Sequence, residues 1–146
     1  MTAFPRTWPR LIADRCTGCR LCELACVEDR YGPVGDKDAA IVLERRRLKI
    51  VLDEPEFRLQ VCDHCSDHPC VEVCPHFALL VHPNGRVDLL EDRCTGCGKC
   101  ISACDRQAIR RVNAIDIAIK CDTCVGRAGG PACIEVCPED ALELAS

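Results

Sequence analysis

Aromatic side chains are nearly missing from this chain of 146 residues: Phe4, Trp8, Tyr31, Phe57 and Phe77 are all it has. With cysteine set aside, apolar residues fall to roughly 37%, below the usual range for a globular domain. So little bulk cannot build a generous core. No apolar run approaches eighteen residues, so no membrane span is expected. The first residues, Met1-Thr2-Ala3-Phe4-Pro5-Arg6-Thr7-Trp8-Pro9-Arg10, have no apolar centre and no small-residue cleavage site, so they do not read as a secretory signal and a cytoplasmic location is expected. Net charge is −4, with 19 basic and 23 acidic residues mixed along the chain. There is neither a basic domain nor an aromatic platform, so nucleic acid is not an expected partner. No nucleophile–base pair or carboxylate dyad stands out.

Cysteine is what the chain has in excess. All sixteen fall into four groups of four. The first is Cys16, Cys19, Cys22, Cys26, and the third is Cys94, Cys97, Cys100, Cys104; both have the x2-x2-x3 spacing. The second, Cys62, Cys65, Cys70, Cys74, and the fourth, Cys121, Cys124, Cys133, Cys137, keep the frame with a longer middle gap. Three cysteines at i, i+3 and i+6 let a tight loop curl around one cluster. The fourth lies a helical turn further on and points toward a neighbouring cluster. Without export, disulfides are disfavoured in so cysteine-rich a chain. Zinc sites use separated ligand pairs and have no need of such runs. Sixteen thiolates complete four [4Fe–4S] clusters with none spare. Spacing leaves open whether the groups trade fourth cysteines one with two and three with four, or in another order.

Between the groups run short strand-like segments. Pro9 to Asp14 leads into group one. Ala78–Val81 and Arg86–Leu90 flank Pro83-Asn84-Gly85, a strong hairpin marker. Ala108–Val112 and Ile115–Ile119 form a second hairpin, and Ala40–Glu44 with Leu48–Leu52 a third. Short helices are expected only near each fourth cysteine, around Glu23 to Glu28 and Ile101 to Asp105. Asp14-Arg15-Cys16-Thr17-Gly18-Cys19 recurs as Asp92-Arg93-Cys94-Thr95-Gly96-Cys97, and Val73-Cys74-Pro75 as Val136-Cys137-Pro138. Duplication of a two-cluster unit is the simplest account. His64 and His68 are read as solvated or backbone-bonded, since group two already has four cysteines. Arg45-Arg46-Arg47 is read as a solvated face.

Group two, Val61-Cys62-Asp63-His64-Cys65 through Pro69-Cys70-Val71, and group four, Lys120-Cys121-Asp122-Thr123-Cys124 with Arg127 and Gly130-Pro131-Ala132-Cys133, resemble two motifs of a known family. It comprises the four-cluster electron-transfer subunits of molybdenum and tungsten pterin oxidoreductases, with relatives in hydrogenase, formate dehydrogenase and carbon monoxide dehydrogenase systems. Without a C-terminal anchor extension, the chain is most similar to soluble members such as the small subunit of tungsten aldehyde oxidoreductases. Asp105 departs from the family, where proline is common after that cysteine.

The resemblance implies an α+β fold of two interleaved ferredoxin-like modules. An arm at 1–9 precedes a polyferredoxin domain at 10–146, with an outer module, 10–61 plus 105–146, enclosing an inserted module, 62–104. It implies clusters on Cys16, Cys19, Cys22 and Cys137; on Cys121, Cys124, Cys133 and Cys26; on Cys62, Cys65, Cys70 and Cys104; and on Cys94, Cys97, Cys100 and Cys74. The implied function is non-catalytic electron transfer to or from a pterin-bearing catalytic subunit, with a flavin or NAD subunit or further copies of the chain as other partners. The alternative is a free-standing polyferredoxin, or a subunit of a hydrogenase, formate dehydrogenase or carbon monoxide dehydrogenase complex. Trp8 is expected to anchor the N-terminal arm on the catalytic subunit.

Overall fold

Apolar residues arrive in runs of only three to five, and the backbone follows them. A computed structural model describes residues 7–33, 44–113 and 115–145. In chain order it contains β1 (Trp8–Leu11), α1 (Leu21–Tyr31), β2 (Lys49–Asp53), β3 (Glu56–Gln60) and α2 (Pro69–Val73), then β4 (Leu79–Val81), β5 (Val87–Leu89) and α3 (Lys99–Ala103), and last β6 (Arg110–Val112), β7 (Ile117–Ile119), α4 (Ala132–Val136) and β8 (Leu142–Ala145). Single 3-10 turns, Ala13–Arg15 and Glu91–Arg93, stand just before Cys16 and Cys94. The repeated Asp-Arg-Cys-Thr-Gly-Cys sequence therefore has a repeated structure.

Among the described residues the strands form four antiparallel two-stranded ladders: β1 with β8, β2 with β3, β4 with β5, and β6 with β7. The turn at Asn84-Gly85 joins β4 and β5 as its sequence predicts, with Leu80 opposite Asp88. The third hairpin differs from expectation. Lys49–Asp53 pairs forward with Glu56–Gln60, Ile50 facing Leu59, while residues 40–43 lie outside the described segments. Glu56-Phe57-Arg58-Leu59-Gln60 alternates polar and apolar residues as a half-buried strand should, and a local turn closes with less entropy loss than a longer loop.

A two-stranded ribbon is barely stable alone, so each is held by what it packs on. α1 lies against α4, α2 against α3, and β1 closes on β8. The last contact joins the two ends of the described chain through an Arg10–Glu143 ion pair. Trp8 is thus a half-buried strand residue opposite Ala145. Apolar residues gather in two cores that include the cysteines themselves. One joins Leu48, Ile50, Val61 and Leu142 with Cys22, Cys121 and Cys133. The other joins Leu79, Val87, Ile109 and Ala118 with Cys70 and Cys100.

Among the described residues α1 is the longest helix, rich in good helix formers (Leu21, Glu23, Leu24, Ala25, Glu28). It stops at Gly32, whose N–H donates to the Glu28 carbonyl at 2.9 Å. The other described helices are five residues long. These four begin before the third cysteine of their group, earlier than the sequence led one to expect. The result is a small α+β fold consistent with a ferredoxin-like module.

Candidate iron-sulfur centres

Each cysteine group opens with the same backbone device. The second residue after the first cysteine has positive φ: Gly18 (76°), His64 (51°), Gly96 (76°) and Thr123 (62°). This turns the chain so that the first two cysteines face the same side. At Gly96 the conformation is reinforced by crowding: a Cβ there would stand 2.1 Å from the Asp116 carbonyl oxygen. Backbone amides then point at sulfur where the turn is tightest. His64 N–H donates to Cys62 Sγ at 3.3 Å and Thr123 N–H to Cys121 Sγ at 3.2 Å.

A second repeated device escaped the sequence reading. After the fourth cysteine of groups two, three and four, the third residue on has positive φ (Phe77, Gln107, Asp140). The fourth is a buried alanine: Ala78, Ala108 and Ala141. Each alanine N–H donates back to its cysteine sulfur at 3.4 Å. The signal was present as Cys-x3-Ala, three times over. Group one breaks it because α1 runs on past Cys26, and the Arg47 N–H takes the role, also at 3.4 Å.

The fold brings cysteines from different groups together. Cys16, Cys19 and Cys22 line a small cavity with Cys137. Cys94, Cys97 and Cys100 line another with Cys74. Cys62, Cys65 and Cys70 line a third with Cys104. Around Cys133 stand Cys121, Cys26 and Cys124, whose charges add to burial in pushing its thiol well above the ordinary range. Burial likewise pushes Cys22 and Cys121 up to about 12, and Cys70 and Cys100 up to about 11. Such thiols ionise only when a positive centre draws the proton off, which is what metal ligation does. Cys19 and Cys97 are the exposed members.

Among the described residues no three His, Cys, Asp or Glu side chains converge as a site for one metal ion. The sulfurs line cavities instead. Four thiols around a common space, with amide N–H groups directed at sulfur, fit an iron–sulfur cluster, whose sulfurs and thiolates accept such hydrogen bonds.

Several polar side chains in and between the groups are buried or half-buried; the arginine run departs from its expected reading, whereas His64 is backbone-bonded as expected. Arg45-Arg46-Arg47 is no solvated face. Arg45 lies over the Tyr31 ring, 5.1 Å from its centroid, and Arg46 pairs with buried Glu23 at 2.6 Å. Arg47 donates to the Lys120 carbonyl at 2.7 Å and to Glu91 at 3.0 Å. His64 is fully buried: Nδ1 accepts from the Val87 N–H at 3.0 Å, and Nε2 lies 3.1 Å from Thr123 Oγ1. Burial, with Lys120 and Arg86 nearby, lowers its pKa to about 3 and keeps the ring neutral. The two non-glycine residues at the positive-φ corners therefore join group two to group four. Arg127 pins the long loop of group four to α1 through Asp29 at 2.6 Å and holds Glu135 at 2.7 Å. Asp105 is exposed on the rim of the Cys62–Cys104 cavity.

Comparison with known proteins places these features in context. The 4Fe-4S dicluster domain family matches residues 54–146. The putative electron transport protein YsaA of Escherichia coli K12 is 36% identical over 140 residues, covering 91% of this chain and 87% of that protein. The polyferredoxin-like subunit of the aliphatic sulfonate oxidoreductase of Pyrococcus furiosus is 33% identical, with 95% and 78% covered. By contrast, the chain spans 21% of the putative oxidoreductase AegA of Escherichia coli K12, at 33% identity over 90% of its own length. Among solved structures, a BamBC active site complex of benzoyl coenzyme A reductase with 1,5-dienoyl-CoA contains a chain similar in fold, with a TM-score of 0.52 at 20% identity, over 95% of this chain and 75% of that one.

Proposed function

This chain belongs to the 4Fe-4S dicluster family of iron–sulfur electron-transfer proteins, and we propose that it carries four [4Fe–4S] clusters as the wiring subunit of an oxidoreductase complex. Cys16, Cys19, Cys22 and Cys137 hold one cluster. Cys26, Cys121, Cys124 and Cys133 hold the second, Cys62, Cys65, Cys70 and Cys104 the third, and Cys74, Cys94, Cys97 and Cys100 the fourth. The observation that carries this reading is the trade of fourth cysteines: three cavities each have three cysteines of one group and one of another on their walls. An outer module, 10–61 plus 105–146, then encloses an inserted one, 62–104.

Each cluster, when bound, accepts and releases one electron. The chain's own residues set the order and the insulation. Cys22 lies close enough to Cys133, and Cys62 to Cys121, for their charges to act on one another, while α2 packs on α3. The sites thus run in series from the Cys16 site to the Cys94 site. Exposed Cys19 and Cys97 mark the two ends as places of entry and exit. Amide N–H groups directed at sulfur offset the negative charge that reduction adds. The remaining subunit supplies substrate binding. We place a tungsten or molybdenum pterin enzyme of the aldehyde-oxidising type there, in keeping with the resemblance of groups two and four. Relatives that are parts of oxidoreductases support a catalytic partner.

Anaerobically purified protein should hold about sixteen iron and sixteen sulfide per chain, four complete clusters. Half that iron, or stoichiometric zinc, rejects the reading. Affinity purification from the native organism should bring down a pterin-bearing subunit. A chain recovered alone with full iron makes it a free-standing polyferredoxin.

A further inference from the structure

Lys120 is 2% exposed, which is rare for lysine. Its Nζ donates to the Val87 carbonyl at 2.5 Å and to the Cys121 carbonyl at 2.8 Å. The first belongs to the hairpin between groups two and three, the second to group four, so the ammonium bridges the two halves of the chain. Val87 also donates its N–H to His64 of group two. Two other buried or half-buried cations have carboxylate partners: Arg47 has Glu91 and Arg30 has Asp122. Lys120 has no carboxylate within ion-pair distance among the described residues. Two carbonyls take two of its three N–H groups and leave its charge uncompensated, and a buried charge without a counter-charge is strongly unfavourable. Cysteine sulfurs lie within reach of its field and become negative on ligation. The field of Lys120 acts on Cys70 and Cys121, one from each of the two middle sites of the series.

We propose that Lys120 is the shared counter-charge of the two middle clusters, a positioning residue that makes both easier to reduce than their thiolates and burial alone allow. This rests on the four-cluster reading above. Reduction brings one more negative charge to a site beside a fixed cation, and an opposite charge favours the more negative state. No bond forms at Lys120 and no proton leaves it. The cation also ties the two middle sites together across the seam between the modules.

The test is a redox titration followed by electron paramagnetic resonance on the purified holoprotein, comparing wild type with Lys120→Met and Lys120→Arg. Wild-type iron content is measured first, since fewer than four clusters there defeats the four-cluster reading whatever Lys120 does. Cys19→Ser and Cys97→Ser, which perturb the two terminal sites, assign the signals. In Lys120→Met the two middle midpoint potentials should fall while the terminal two stay in place, and in Lys120→Arg all four should stay near wild type. Unchanged middle potentials in a fully loaded Lys120→Met protein, or an equal fall of all four, overturn the proposal. If Lys120→Met loses iron from the middle sites, Lys120→Arg decides: full loading there supports the need for a cation, and equal loss in both variants assigns Lys120 to packing and overturns it.

Discussion

Gly96 and Gly98 offer a controlled test of the cysteine loop, because they share a conformation and differ in surroundings. Both have φ near 80°, at 76° and 79°. A Cβ at Gly98 meets nothing within 4 Å, whereas one at Gly96 would lie 2.1 Å from a backbone carbonyl oxygen, that of Asp116. Placing an L-residue in this region costs about 1–2 kcal/mol. Stiffening the unfolded chain returns about 0.4–1 kcal/mol of that. Gly98→Ala should therefore destabilise by about 0.5–1 kcal/mol. Gly96→Ala adds a backbone displacement in the β6–β7 turn, comparable to overpacking at about 1–3 kcal/mol, for a total of about 1.5–4 kcal/mol. At about 3–4 °C per kcal/mol for a chain of this size, the melting temperatures should fall by about 2–4 °C and about 5–16 °C. The assay is thermal melting of the anaerobic holoprotein, by far-ultraviolet circular dichroism and by loss of absorbance near 400 nm, at one fixed scan rate because cluster proteins do not unfold in two states. Equal falls in the two variants, or a larger one for Gly98→Ala, would refute the claim that the Asp116 carbonyl sets the space at Gly96.

Substituting Cys137 by Ala should remove or alter the cluster on Cys16, Cys19 and Cys22, across nearly the whole chain; iron analysis with electron paramagnetic resonance checks this, and damage confined to the Cys94 site would reject the assignment. His64→Leu leaves the buried Val87 N–H without its acceptor, a loss of about 1–3 kcal/mol, which should lower the melting temperature while leaving iron content at the wild-type level. An iron loss equal to that of a cysteine variant would instead make His64 a ligand.

The sequence alone determined the local half of this protein. Cysteine spacing, Asn84-Gly85 between apolar runs and the repeated Asp-Arg-Cys-Thr-Gly-Cys are short-range signals, and loops, hairpins and 3-10 turns appear where they stand. Local conformation depends on residues a few positions apart, so it can be read there. The Cys-x3-Ala turn was equally local; it went unread because alanine carries no chemistry that draws attention. What only the tertiary structure decided is how charge is disposed between the loops. Arg46 and Arg47 find Glu23 and Glu91, Lys120 enters the interior beside Val87, and His64 meets Thr123, over separations of 23 to 59 residues or so. A run of three arginines looks the same on a solvated face as it does beside a buried carboxylate. The partners are supplied by segments whose approach depends on packing α1 on α4 and α2 on α3. The energy of a buried charge depends on those neighbours rather than on the residue, so its role became legible only once the fold had placed them.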